Sequence, residues 1–521
     1  MISTKFLARR KEKASSKASR GGRLKGEGLF SREPLGFDLI TQLTHMSAVA
    51  TAGISREQLF EGISRLDYST SRFFRHVHLV ARRLNYDYSA ACEMVAEITG
   101  PENVRNVLLR FATSLSSGEG EARFLARETE VELELYGKQY ERDMESLRKW
   151  SDAYVALMVS ATLVVVISLV SMMIYSLGAG VIVGLGGLII AITFMGGWII
   201  YSVAPQETKT HSLRRRSPEQ ERAAALGRLL IPMAALAAAA AGITLGLGLA
   251  LVVAAILITP VGIVAFKDDW KIDARDREIA TFLRALGSVL GAVNTTVTEG
   301  LSRLNRRSLG SLEPHVQRLY VRLRHNMSPD LCWHSFSAES GSELVHRSVR
   351  IFWDALRLGG DAGQIGNLAS MYAQKVSLLR ASRRLVASTF GWVVVPLHAV
   401  LLGLLLFITE VIRIFGAELA KVQEEALTGG VAEEAGVSTV LMYGAPNMAF
   451  VDIFVGAVVV MVTAANAFAP YAASGGHRYK LCAFAAIMMF MSGVALIVVP
   501  ELVTAIFETV TEGTEITGGT P

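Results

Sequence analysis

No residue between Tyr154 and Val203 is charged, and none between Leu229 and Phe266. These uncharged runs, 50 and 38 residues long, constrain the fold more than any other feature of the chain. One helical span of a bilayer takes ~20 apolar residues to cross a ~30 Å hydrocarbon core. The first run is long enough for a hairpin, with spans at about 154–175 and 181–203 and a turn at Leu177-Gly178-Ala179-Gly180. As one helix the second run would be about 57 Å long, too long for one crossing. Two short spans with a turn near Gly246–Gly248 fit it better, and Pro232 and Pro260 can kink them without excluding them. Three more apolar segments, at about 390–415, 451–471 and 481–500, bring the expected total to about seven.

The rest of the chain is water-soluble in character. Of 521 residues 51% are hydrophobic and 19% charged, close enough to a soluble composition to exclude a chain that is membrane from end to end. Residues 1–32 form a basic arm, expected to be disordered, with ten Lys or Arg against Glu12 and Glu27. No apolar run follows it, so it does not read as a signal peptide. Residues 33–153 carry helical apolar spacing, as in Leu39-Leu43-Met46-Val49 and Val104-Leu108-Phe111-Leu115. A long charged helix is expected from about Ala122 to Trp150. Residues 204–228 form a short basic loop, and 267–389 a second soluble helical region with 18 Lys or Arg against 12 Asp or Glu. The loop 416–450 and the tail 501–521 are acidic.

Charge sets the orientation. Short loops rich in Lys and Arg stay in the cytoplasm. With seven spans, the arm, both soluble regions and the basic loops 204–228 and 472–480 share one side, and the acidic loop and tail share the other. A cell-membrane protein with its N-terminus inside and C-terminus outside follows.

The two soluble regions read as copies of one unit. Glu61-Gly62-Ile63-Ser64-Arg65-Leu66 matches Glu299-Gly300-Leu301-Ser302-Arg303-Leu304 at an offset of 238, and Gly53 meets Gly291 at the same offset. Cys92 matches Cys332 at 240, and Gly118-Glu119 matches Gly360-Asp361 at 242. Such glycines end helices, and the carboxylates beside them cap the next helix or touch a partner. The fold expected is all-α: two homologous cytoplasmic helical bundles joined to about seven transmembrane helices.

This arrangement resembles the type II secretion F-domain family, the inner-membrane platform proteins of secretion systems and type IV pili. The likeness rests on the stretch Thr51–Leu66, its second copy ending in Leu304, and the Gly118-Glu119 and Gly360-Asp361 turns. The extra hydrophobic hairpin at 229–266 and the added C-terminal spans look most like the archaeal archaellum and pilus branch. The resemblance implies a platform with no bond chemistry and no cofactor. A hexameric secretion ATPase would dock on its cytoplasmic bundles, and pilin-like or archaellin-like subunits would pass from the bilayer into a filament. It also implies a homodimer.

Motifs for chemistry are absent. There is no G-x-x-x-x-G-K-[ST] loop and no H-E-x-x-H helix. His76 and His78 fall on different helix faces, and the glycine run Gly178–Gly187 reads as helix packing. Cys92, Cys332 and Cys482 lack CxxC spacing and read as small buried residues. His398 reads as a hydrogen-bonded packing residue, and Glu410, Arg413 and Asp452 as an interfacial group near the outer ends of two spans. Arg214-Arg215-Arg216 can attract anionic lipid or form a docking surface for an acidic ATPase face. Nucleic acid is not expected, since no aromatic platform accompanies the basic residues. A transporter or channel with cytoplasmic regulatory domains is the alternative class. It would need polar midplane sites, whereas this repeat lies in the soluble regions.

Overall fold

The computed structural model describes residues 35–174, 179–213, 215–428 and 448–517. The basic arm 1–32, the Leu177-Gly178 turn, Arg214, most of the acidic loop 416–450 and the last four residues lie outside the described residues. The described chain is all-α. Its only extended pairing is an isolated bridge between Thr210 and Ser342.

The first bundle contains α1 (Leu35–Ala50), α2 (Arg56–Ser64), α3 (Ser71–Leu84), α4 (Tyr88–Ile98) and α5 (Glu102–Ser117). It leads into the long α6 (Glu121–Ile174) and then α7 (Ala179–Val203). After a loop come α8 (Pro218–Thr244) and α9 (Leu247–Val293). The second bundle uses the end of α9, then α10 (Val297–Arg303), a 3-10 segment (Arg306–Leu312), α11 (Glu313–Arg324), α12 (Pro329–Ser340) and α13 (Glu343–Arg357). It continues into α14 (Ala362–Thr428), followed by α15 (Met448–Ser474) and α16 (Lys480–Thr517).

Local signals start and stop these helices. The Ser55 hydroxyl accepts from Gln58 N–H while the Gln58 side chain accepts from Ser55 N–H, a reciprocal capping box. Thr296 caps α10 through the Glu299 N–H, and each such cap is worth about 1 kcal/mol. Between α8 and α9 the chain reverses at Gly246, whose φ of +91° favours glycine.

The repeat is visible in the backbone, with a different register from the one read along the sequence. Left-handed residues recur at Gly53 and Asn294, Asn85 and Asn326, and Gly118 and Gly359. The caps Ser55 and Thr296 keep the same spacing. All are 241 positions apart, so the offset is constant across these turns and does not drift from 238 to 242. The structural counterpart of Gly53 is therefore Asn294, since Gly291 lies inside α9. The counterpart of Gly118 is Gly359, one residue before Gly360. The matched hexapeptides are the exception, because α10 is shorter than α2, with 7 residues against 9. Both hexapeptides still form the same local bonds. Ser64 and Ser302 bond back to the carbonyls of Glu61 and Glu299, and Arg65 and Arg303 pair with those same glutamates.

The two bundles share one hydrophobic core running from Phe37 to Val376. Helix α1 is wedged between them, against α6 on one side and α13 and α14 on the other. It is buried from Phe37 to Ala50, although Asp38, Thr41, Gln42, Thr44 and His45 are polar. Each of those five finds a hydrogen-bond partner, which is the condition for burying them.

Five helices among the described residues are long and apolar enough to cross a membrane: α8, α9, α14, α15 and α16. Ile190–Val203, within α7, is a shorter apolar piece. A second core joins α6, α7, α14, α15 and α16 through residues such as Leu147, Ile200, Leu402, Val459 and Met488. Pro232, Pro260, Pro396, Pro470 and Pro500 all sit inside helices.

Candidate functional site

A collar of buried charge lies where the soluble bundles meet the apolar helices. It is built on α9, whose run from Asp268 to Asp276 follows directly on its apolar half. Spacing of three to four residues puts Asp269, Asp273 and Asp276 on one helix face. Lys209, from the loop after α7, reaches Asp269 Oδ1 at 2.7 Å and Asp273 Oδ1 at 2.6 Å. Lys480, at the start of α16, takes the other oxygen of Asp269 at 2.8 Å. Arg384 of α14 takes Asp273 at 3.0 Å, and Arg380 pairs with Asp276 at 2.7 Å and Glu207 at 3.3 Å. Arg383 donates to the carbonyls of Pro205 and Ala473 at 2.8 and 3.0 Å.

Three helices, α9, α14 and α16, and the loop after α7 are thus joined by ion pairs in a low-dielectric setting. Burial alone would lower the Lys209 ammonium, but the carboxylates of Asp269 and Asp273 outweigh it and hold it above the ordinary lysine value. Removing one member of such a group typically costs 3–5 kcal/mol, because its partner is left buried and unpaired. The collar therefore fixes the loop after α7 and the start of α16 against α9 and α14. Sequence reading missed it. The run of acids on α9 was visible, but their partners lie 60 to more than 200 residues away.

A second polar group lies among the apolar helices. The Tyr154 hydroxyl donates to Asn466 Oδ1 at 2.7 Å, and Asn466 Nδ2 donates to His398 Nδ1 at 2.9 Å. His398 Nε2–H then donates to Ser492 Oγ at 2.9 Å, and Ser492 meets Thr463 at 2.6 Å. One ring nitrogen accepts and the other donates, which fixes a neutral imidazole. The network braces α6, α14, α15 and α16 together. At the other end of α14, Arg413 bridges Glu410 at 2.7 Å and Asp452 of α15 at 2.6 Å.

The residues singled out by sequence are spread over both bundles. Arg215 and Arg216 are exposed. They follow Ser212 and Leu213, which line a cleft of about 600 Å³ between the bundles with Tyr68, Trp333, Arg350 and Trp353. Gly53 and Gly118 hold φ values of +64° and +75° in open surroundings. Glu119 accepts from Ser114 and pairs with Arg127. Gly291 packs against Gly363, and Gly360 against Thr51 of the first bundle. Asp361 caps α14, accepting from Gln364 N–H at 2.8 Å. One close helix crossing was not foreseen: a Cβ on Gly287 would lie 2.6 Å from the Ala362 carbonyl. Cys92 and Cys332 are buried, and among the described residues no group of three His, Cys, Asp or Glu could hold a metal ion.

Comparison with known proteins gives a direction. The chain is similar to archaeal proteins named flagella accessory protein J. It is 22% identical to that of Methanocaldococcus jannaschii over 357 residues, and 21% identical to that of Methanococcus voltae over 368. Each match takes in 66% of this chain and 62% of the relative, so the chain spans less than two thirds of their length. No protein-family model matches the chain, and no solved structure does.

Proposed function

We propose that this protein is the membrane platform of an archaellum-type filament machine, with its N-terminus in the cytoplasm and its C-terminus outside. One observation carries the reading. Two bundles with a common cap register are fused into a single core and tied by the Lys209–Asp269–Lys480 collar to helices long enough to cross a bilayer. Such a body can pass a push or a twist into the membrane without bond chemistry of its own.

The apolar parts of α6 and α7 add two spans to the five, giving seven. The collar supports the orientation, because it brings the loop after α7 and the loop before α16 to the same end of the helices as the bundles. The likeness to flagella accessory protein J points the same way. On this reading a hexameric secretion ATPase docks on the bundles beside Arg215 and Arg216, pilin-like or archaellin-like subunits are the cargo, and the platform works as a homodimer. The satisfied, neutral His398 network favours a packing brace over a transport pathway.

The test is direct. Full-length protein in detergent should retain the secretion ATPase of the same genome, less well at high salt and less well as the R215E/R216E double variant. Filament assembly that continued after deletion of this chain would end the proposal.

A further inference from the structure

Beside the collar lies a slot that neither the bundles nor the filament reading uses. Between α9 and α16 a cavity of about 640 Å³ has walls that are almost wholly apolar, formed by Ile256, Ile263, Phe266, Phe484, Ile487 and Phe490. Phe266, Phe484 and Ile487 also line a second cavity, of about 490 Å³, bounded by α14. The two therefore adjoin across these three side chains, one almost wholly apolar and the other lined by charged groups as well. The second cavity opens onto the collar, whose five Lys or Arg side chains meet four carboxylates, Asp276 lying behind Arg380.

That excess of cations has an address. Among the described residues Arg383 bonds to the carbonyls of Pro205, Ala472 and Ala473 and to no carboxylate. Arg384 shares Asp273 with Lys209 and leaves 44% of its side chain exposed. Two indoles flank the opening: Trp270 is 66% exposed and Trp392 80%. Exposed tryptophans beside cations at the end of an apolar span mark the level of lipid headgroups.

We propose that this slot binds one anionic phospholipid, its chains between α9 and α16 and its phosphate at Arg383 and Arg384. An amphiphile with a negative head matches both the gradient from apolar to cationic and the charge left over in the collar. A partner's apolar helix offers no such head for Arg383 and Arg384. The inference needs only that α9, α14 and α16 lie in a bilayer, so it stands or fails apart from the platform reading.

The experiment uses the full-length protein in nanodiscs of phosphatidylcholine containing a minor fraction of phosphatidylglycerol with a photoreactive acyl chain. Crosslinks should concentrate on residues 256–267 and 484–491. Native mass spectrometry should show one retained phosphatidylglycerol in preference to phosphatidylcholine. Arg384→Gln should cut that preference about fivefold, since one near-surface cation is worth ~1 kcal/mol toward an anionic lipid, and Arg384→Lys should restore most of it. Ile263→Trp, which fills the tail region, should remove the retained lipid whatever its head. Crosslinks spread evenly over the apolar helices, or equal retention of the two lipids, would mean annular lipid only and overturn the proposal. So would displacement of the crosslinks by a filament subunit's apolar helix but not by unlabelled lipid. The crosslinking map is made on the unaltered chain, so it decides even if a variant fails to fold.

Discussion

Arg347 of α13 donates to Asp38 of α1 at 2.6 Å, and each side chain is only 6% exposed. The pair joins the two bundles across 309 residues of sequence. Its surroundings are built to hold it. The Arg347 guanidinium lies 4.3 Å from the Phe37 ring centre and 4.7 Å from that of Tyr68, and Glu343 accepts from its Nε at 2.6 Å. Asp38 in turn accepts from the Ser69 N–H and hydroxyl.

A change to one partner should be far worse than a change to both. Asp38→Asn leaves a buried guanidinium facing a neutral amide, with an expected loss of about 3–5 kcal/mol. With Glu343, the other carboxylate on Arg347, changed as well, the triple variant Asp38→Leu, Glu343→Leu, Arg347→Met should recover a good part of that loss. Thermal melting of the full-length protein in detergent measures both. Additive losses would show that the two residues do not act as a pair.

The glycines of the bundles should separate into two classes. Gly53→Ala meets no atom within 4 Å, so it costs only left-handed strain, about 1–2 kcal/mol. Gly287→Leu would drive side-chain atoms into the backbone of α14 near Ala362 and Gly366. Its cost should exceed that of Gly53→Ala, and the junction of α9 with α14 should become sensitive to protease. Equal melting temperatures for the two variants would contradict the close crossing.

His398→Leu should loosen the brace among the apolar helices. It leaves Asn466 and Ser492 without their shared partner. Hydrogen bonds between helices in a membrane average ~0.6 kcal/mol and reach ~1.7, so a loss of about 1–2 kcal/mol is expected. His398→Gln, which can still donate and accept, should lose less. Melting in detergent reads the difference, and proteoliposomes carrying either variant should show the same solute leak as the parent.

Acid should weaken the second bundle before the first. Burial, with nearby arginines adding to it, pushes both His315 and His346 down from 6.5 to about 3. In the unfolded chain these rings take up protons below about 6.5, while in the folded chain they stay neutral until about 3. The unfolded state therefore binds more protons in that window, and stability falls as pH falls through it. Each ring contributes up to ~1.4 kcal/mol per pH unit there. Melting curves from pH 8 to pH 5 should show the decline. His346→Phe should flatten it, and an unchanged slope would remove His346 from the explanation.

Much of this architecture was legible because its signals are short-range. Uncharged runs marked the apolar helices, and the small residues around Gly246 marked the reversal between α8 and α9. The repeat was legible too, although its register was not. Identical letters recur at 238, 240 and 242, whereas the helix turns keep 241; the hexapeptides depart from it because α10 is shorter than α2. At a turn the backbone conformation is what recurs, and Asn294 can supply it as Gly53 does.

The amino-acid sequence by itself determined that the chain is helical, that its apolar residues gather in blocks, and that its basic loops alternate with acidic ones. Hydropathy and capping act within a few residues, so they can be read along a line. Tertiary structure decided which charges neutralise one another. It buried α1 on every side despite Asp38 and His45, matched Lys209 and Lys480 to one aspartate, and set His398 between Asn466 and Ser492. Those choices depend on which side-chain atoms come within about 3 Å of each other after folding, and no local pattern records that distance.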